Sequence, residues 1–163
     1  MTLEGLDELD RHILGELQRD ARRASSRDIA AKVSASPSTV RKRLQRLEDE
    51  GIVTAYRADV DYDRAGYDLH VQVVCTARIP EREAMADAGL EIPGVVGVRE
   101  LATGERNVVF TVVSTDRNDL TRIAAALSEI GLTIVDEELI PKERVKPFFE
   151  STLDQHGHRE RGD

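Results

Sequence analysis

"SASPSTVRKRLQRLEDEG", Ser34 to Gly51, is the stretch on which the reading of the chain turns. Ser36 is a natural helix N-cap, and Pro37 suits the first helical position because its missing N–H needs no partner there. Gly51 supplies the stop. At about 100° per residue, Val40, Leu44 and Leu47 share a narrow arc, which predicts a face packed on other helices. Ser38, Lys42 and Gln45 lie opposite, with Thr39 and Arg46 flanking them. Arg41 is lateral, and Arg43 sits near the apolar edge. Four basic residues stand within thirteen positions of a chain whose net charge is −8. The helix either reads DNA or is a solvated helix that merely carries charge.

Upstream, Leu6, Leu9, Ile13, Leu14 and Leu17 form one apolar stripe at helical spacing. Ser25 can cap a second helix, with Asp28 three residues on as in a capping box. That helix is expected over 26–33, burying Ile29, Ala30 and Val33. The short break Ser34-Ala35-Ser36 then leads into the basic helix. Two short helices, a tight turn and a longer basic helix make a helix-turn-helix pattern. Downstream, "IVTAYRADV" (52–60) predicts a two-stranded wing or an outgoing strand. The polar, Gly-containing segment 61–68 reads as a linker.

Beyond the linker the period changes from 3.6 to two. In "LHVQVVCTARI" (69–79), Leu69, Val71, Val73, Cys75, Ala77 and Ile79 point one way, as in a half-buried strand. A helix opened by Pro80, strands in "VVGVRELAT" and "NVVFTVVST", a helix in "DRNDLTRIAAALSEIG" and a strand in "LTIVDEELI" follow. The order β-α-β-β-α-β is the ferredoxin-like unit, so the fold class is α+β. Both helices lie on one face of such a sheet; burial of the other face predicts a homo-oligomer. The expected organisation is a (winged) helix-turn-helix domain over 1–60, the linker, a ferredoxin-like domain over 69–141, and an extension over 142–163 with a disordered end.

Charge is distributed unevenly. Residues 1–57 hold eleven Lys/Arg and ten Asp/Glu, whereas residues 58–163 hold twelve and twenty-one. From Arg19 to Arg46, nine basic residues face only Asp20 and Asp28. This asymmetry predicts a basic DNA-facing patch joined to an acidic module. Nineteen of the 23 basic residues are arginine, which fits either a salt-accumulating archaeal source or a GC-rich genome. One cysteine, Cys75, excludes an internal disulfide and reads as a small core residue. No apolar run approaches the roughly 20 residues of a membrane span, and "MTLEGLDELD" lacks the apolar core of a secretory signal, so no membrane partner and a cytoplasmic setting are expected. His156 and His158 lie in a charged tail without a third ligand nearby in sequence, and no metal site is assigned. With no nucleophile–base pair or phosphate-binding glycine loop, the chain reads as a binding protein without catalytic residues or cofactor.

The outward face of the basic helix supplies the candidate contacts to double-stranded promoter DNA. Small hydroxyls at Ser38 and Thr39 let the helix end approach base edges or phosphates, with Ser36 at its start. Lys42 and Arg46 can reach guanine edges or backbone, and Arg41 a flanking phosphate. Arg43, near the core edge, is expected to pair with Asp7 or Asp10 of the first helix.

"LDELDRHILGELQRDARRASSRDIAAKVSASPSTVRKRLQRLEDEGIVTAY" resembles the N-terminal half of the leucine-responsive regulator (Lrp/AsnC) family. The likeness lies in the leading Leu-Asp and second Asp, the Ile-Leu pair, the "DAR" segment, the Ser-x-Ser-Thr-Val-x-x-Arg run and Leu-Glu-x-x-Gly-Ile. The ferredoxin-like second half completes it. The resemblance implies a transcriptional regulator that dimerises through its sheet and assembles into octamers. It also implies an amino-acid effector bound near the turn between the second and third strands. The family's Gly-x-x-Asp at that turn reads here Gly104-Glu105-Arg106-Asn107, so an amide stands where a carboxylate would meet a ligand ammonium. That departure keeps open an effector-independent local or architectural regulator. Siroheme decarboxylases resemble the same two-domain plan, but here the second domain has His70 as its only histidine, and the basic face sits on the helix-turn-helix.

Overall fold

The structure, a computed structural model, describes residues 5–102 and 104–149. The expected disordered end and its two histidines lie outside the described residues. The described chain falls into two compact units, residues 5–58 with 144–149, and residues 59–143.

The first unit contains α1 (Glu8–Asp20), α2 (Ser26–Ala30) and α3 (Pro37–Asp49). Each begins where a side chain can satisfy otherwise orphaned backbone N–H groups. Asp7 and Asp10 form a reciprocal capping box on α1: the Asp10 N–H donates to Asp7 Oδ1 at 2.9 Å and the Asp7 N–H to Asp10 Oδ2 at 3.1 Å. Ser25 accepts from the Asp28 N–H at 3.2 Å and Ser36 from the Thr39 N–H at 3.1 Å. Helix α2 is shorter than its apolar spacing suggests and passes into turns at Ala31. Gly51, at φ +69°, ends the α3 segment in the left-handed region that only glycine enters freely. Ile13, Leu14, Ile29, Val40 and Leu47 form the core, with Leu44, Val33 and Phe149 packed against it. Gln18 Oε1 accepts the N–H groups of Phe148 and Phe149 at 3.0 and 3.3 Å, fixing the returning segment to α1.

Residues 52–60 form neither a wing nor an outgoing strand. The N–H groups of Ile52 and Val53 both turn back to the Leu47 carbonyl, at 2.9 and 3.0 Å, closing the helix end instead of pairing with a strand. Burial, and then the hydrogen bond Tyr56 donates to Glu48 at 2.7 Å, push its phenol up to about 12.

The second unit has β1 (Leu69–Thr76), a 3₁₀ turn (Ile79–Glu81), α4 (Arg82–Leu90), β2 (Val95–Glu100), β3 (Val108–Ser114), α5 (Arg117–Glu129) and β4 (Thr133–Leu139). The strands form one antiparallel sheet in the order β2-β3-β1-β4. Val71, Val73 and Cys75 of β1 and Val108, Phe110 and Val112 of β3 pack with Ala86 of α4 and Ile123 and Leu127 of α5. Helix α4 lies so close to β3 that a Cβ at Gly89 would stand 2.5 Å from the Phe110 ring. Burial pushes the Cys75 thiol up to about 11, with Glu137 adding to it, and leaves Cys75 as core packing. Ile79 departs from the alternation: pairing ends at Thr76, and the 3₁₀ turn leaves it 77% exposed. On the helix-free face, Val74 pairs with Val109, and His70 with Val113. The Tyr62 ring lies 5.9 Å from that of His70. No helix among the described residues is long and apolar enough to cross a membrane.

Candidate nucleic-acid interface

Val40 and Leu47 are fully buried, so α3 is held by one side and turns the other to solvent. At its N-terminal end three hydroxyls converge. Ser36 Oγ lies 2.8 Å from Ser38 Oγ and 2.9 Å from Thr39 Oγ1 while also accepting the Thr39 N–H. Ser36 is therefore the organiser of this array, and all three hydroxyl residues are exposed. Arg41 and Lys42 follow on the exposed surface, and among the described residues neither has an ion-pair partner. Gln45 is engaged within the helix, donating to Asp49 at 3.0 Å. Small hydroxyls over the positive end of a helix, followed by two free cations, can accept and donate at base edges and neutralise phosphate.

Arg46 stands apart from this group. Grouped by the helical wheel with the outward cations, it is bonded to Asp10 of α1, Nη2 to Oδ2 at 2.5 Å. Arg43 Nη1 reaches Asp7 at 2.6 Å and both oxygens of Asp10 at 3.1 and 3.2 Å. Asp10 is fully buried, and it also closes the α1 capping box. Asp7 and Asp10 with Arg43 and Arg46 thus tie the start of α1 to the middle of α3, and Glu50 lies 3.9 Å from Arg46 at the edge of the cluster. The Asp10 N–H, and then Arg43, hold the Asp7 carboxyl below the ordinary aspartate range; burial opposes them and loses. Arg43 is shifted upward by its bond to Asp7, outweighing desolvation. Pairing of Arg43 with α1 was readable from the sequence; recruitment of Arg46 was not. Its three-residue spacing from Arg43 is the signal, since such positions share one side of a helix.

The β2–β3 turn does not assemble its four candidate effector residues into one set. Gly104 (φ +98°), Glu105 and Arg106 are exposed, and Arg106 lies 3.7 Å from Asp136. Asn107 is only 4% exposed. Its Oδ1 accepts the Ala77 N–H and its Nδ2 donates to the Ala77 carbonyl, both at 2.8 Å. The Asn107 main chain bonds Cys75 on one side, at 3.1 Å, and Leu101 on the other, at 2.9 Å. The amide that looked like a weakened ligand contact is a two-point lock on the end of β1. Among the described residues no cluster of three or more His, Cys, Asp or Glu has the arrangement of a metal site.

The winged helix-turn-helix DNA-binding family profile matches residues 6–54, which span α1 to α3. An HTH-type transcriptional regulator of Mycobacterium tuberculosis is 32% identical over 130 residues, covering 78% of this chain and 84% of the relative. The HTH-type transcriptional regulator LrpA of Pyrococcus horikoshii is 31% identical over 120 residues, covering 72% and 82%. A transcriptional regulator of Neisseria meningitidis, solved as a complex with L-methionine, superposes with a TM-score of 0.75 at 28% identity, covering 88% of this chain and 95% of that one.

Proposed function

The chain belongs to the Lrp/AsnC family of DNA-binding transcriptional regulators, and from that premise we propose that α3 enters the major groove of promoter DNA in the cytoplasm. In this reading Ser38 and Thr39 meet base edges or adjacent phosphate, Lys42 and Arg41 meet backbone, and Ser36 shapes the helix end. The observation that carries it is the three-hydroxyl array leading into two unpaired cations on a helix anchored from the other side by the fully buried Val40 and Leu47. A homodimer formed on the helix-free face of the sheet would present two α3 helices about one DNA turn apart on a near-palindromic site, and four such dimers would make an octamer. The protein acts by binding and carries out no reaction.

Replacement of Lys42 by alanine tests the placement. Affinity should fall to a similar degree on target and unrelated duplexes, and the slope of log affinity against log salt should shrink by about one. An Arg41→Ala/Lys42→Ala double variant that binds its own promoter normally would refute it.

An amino acid is the proposed effector, supported by the L-methionine complex of the Neisseria relative. Gly104, Glu105 and Arg106 would form the exposed surface it meets, with Asn107 keeping their turn in place. Calorimetry against the twenty amino acids should give heat for at least one and alter assembly. Silence from all twenty would favour an effector-independent regulator, the reading that the complete engagement of Asn107 with Ala77 supports.

A further inference from the structure

The recognition helix carries four cations, but only two of them face solvent without a carboxylate. Arg43 and Arg46 are drawn toward α1 by a residue with no exposure of its own. Asp10 receives the Asp7 N–H, Arg43 and Arg46 together, and all three converge on its Oδ2. Arg46 Nε is buried with no hydrogen-bond partner, and the Glu50 carboxylate lies 3.9 Å from it. Yet both guanidinium side chains remain at the margin of the cluster, 33% and 37% exposed. A long, flexible side chain at that depth can swing outward once its anchor is removed. Freed arginines beside a DNA-facing surface would find phosphate regardless of sequence.

We propose that Asp10 is a specificity-determining residue that withholds Arg46, and with Asp7 also Arg43, from the phosphate backbone. Generic affinity for DNA is thereby kept to the backbone contacts of Arg41 and Lys42, and discrimination is left to Ser38 and Thr39. The inference rests on the placement of α3 against DNA. Asp10 itself touches no nucleic acid: it is a positioning residue that acts through the arginines it holds. Asp7 retains Arg43 when Asp10 is neutralised, so the released cation is chiefly Arg46, whose remaining carboxylate neighbour, Glu50, is half exposed and 3.9 Å away.

The test is Asp10→Asn in the full chain, checked for folding by circular dichroism. Binding is measured between 50 and 200 mM salt on two duplexes. One has random sequence, and the other is enriched from a random pool by the unaltered protein. On the random duplex the variant should bind more tightly at 50 mM, by on the order of 3- to 10-fold, with a salt slope steeper by about one. The preference for the enriched duplex should fall by a similar factor. Asp10→Glu, which restores a carboxylate within reach of Arg46, should return the slope to its original value. A folded Asp10→Asn protein with unchanged slope and unchanged random-duplex affinity overturns the proposal. Should Asp10→Asn not fold, Arg46→Gln decides. Gln keeps a donor for Asp10, and the slope should stay as it is; a slope smaller by about one would mean that Arg46 already contacts phosphate. Failure of the unaltered protein to bind either duplex would refute the DNA-binding reading itself, an outcome distinct from all of these.

Discussion

Asp10 and Asn107 do the same structural job in the two units by different chemistry. Each is a buried polar side chain that joins segments some thirty residues apart: Asp10 grips Arg43 and Arg46, and Asn107 grips the peptide of Ala77. The helical unit uses charge. Among the described residues its apolar core has five buried members against twelve in the sheet unit, so a larger share of its cohesion falls to the ionic cluster. The sheet unit uses a neutral amide whose donor and acceptor match those of one peptide. A charged clamp responds to protons and salt, whereas an amide clamp responds to neither. The unit that meets a polyanion is therefore the one whose internal ties are electrostatic. The unit whose helix-free face is proposed to bind a second copy has the end of β1 held by side-chain bonds that do not titrate.

The sharpest way to break this contrast is to put a charge into the amide clamp. Asn107→Asp should destabilise the sheet unit by about 2–3 kcal/mol at pH 8, because a buried carboxylate faces the Ala77 carbonyl and the donor to it is gone. The sign with pH follows. Burial and the opposing carbonyl raise the folded-state pKa of the new carboxyl, and its protonated form can donate to Ala77 in place of the amide. Stability should be nearly restored well below the raised pKa and lost as pH rises through it, a dependence the amide cannot show. Chemical denaturation at pH 5 and pH 8 measures it. Equal destabilisation at both would mean that Asn107 matters only through its shape.

The contrast also explains which parts of the molecule could be read from the chain alone. Helix starts at Ser25 and Ser36, the stop at Gly51 and the strand order were legible because caps and hydrophobic periods are local signals. The two clamps were only half legible, because their partners are remote in sequence. A helical wheel assigns Arg46 to the outward face and contains no term for Asp10, 36 residues away. At Asn107, substitution in a ligand motif suggested a weakened contact, while the partner that explains the amide lies 30 residues back, at Ala77. Ile79 misled for a simpler cause: the alternation of residue types outlasts the hydrogen-bonded ladder by three residues. The apolar residues after Gly51 suggested a wing, but the Leu47 carbonyl takes their N–H groups.

A smaller effect probes the charged clamp without any substitution. Asp7 titrates below the ordinary aspartate range in the fold, chiefly because it accepts the Asp10 N–H and secondarily because Arg43 lies against it. A depressed folded-state pKa means that the carboxylate contributes stability at neutral pH and loses that contribution as pH falls through the folded value. Asp7 is half exposed, so solvent screening limits the contribution to less than about 1 kcal/mol. The change should be local. Hydrogen-exchange protection of the Asp10 N–H should decline as the solution is taken below the ordinary aspartate range, after correction for intrinsic rates. Protection of the Ala77 N–H should persist over the same interval, since its acceptor on Asn107 does not titrate. Simultaneous loss of both would mean that the two units unfold together in acid, and that the difference between the clamps has no bearing on which yields first.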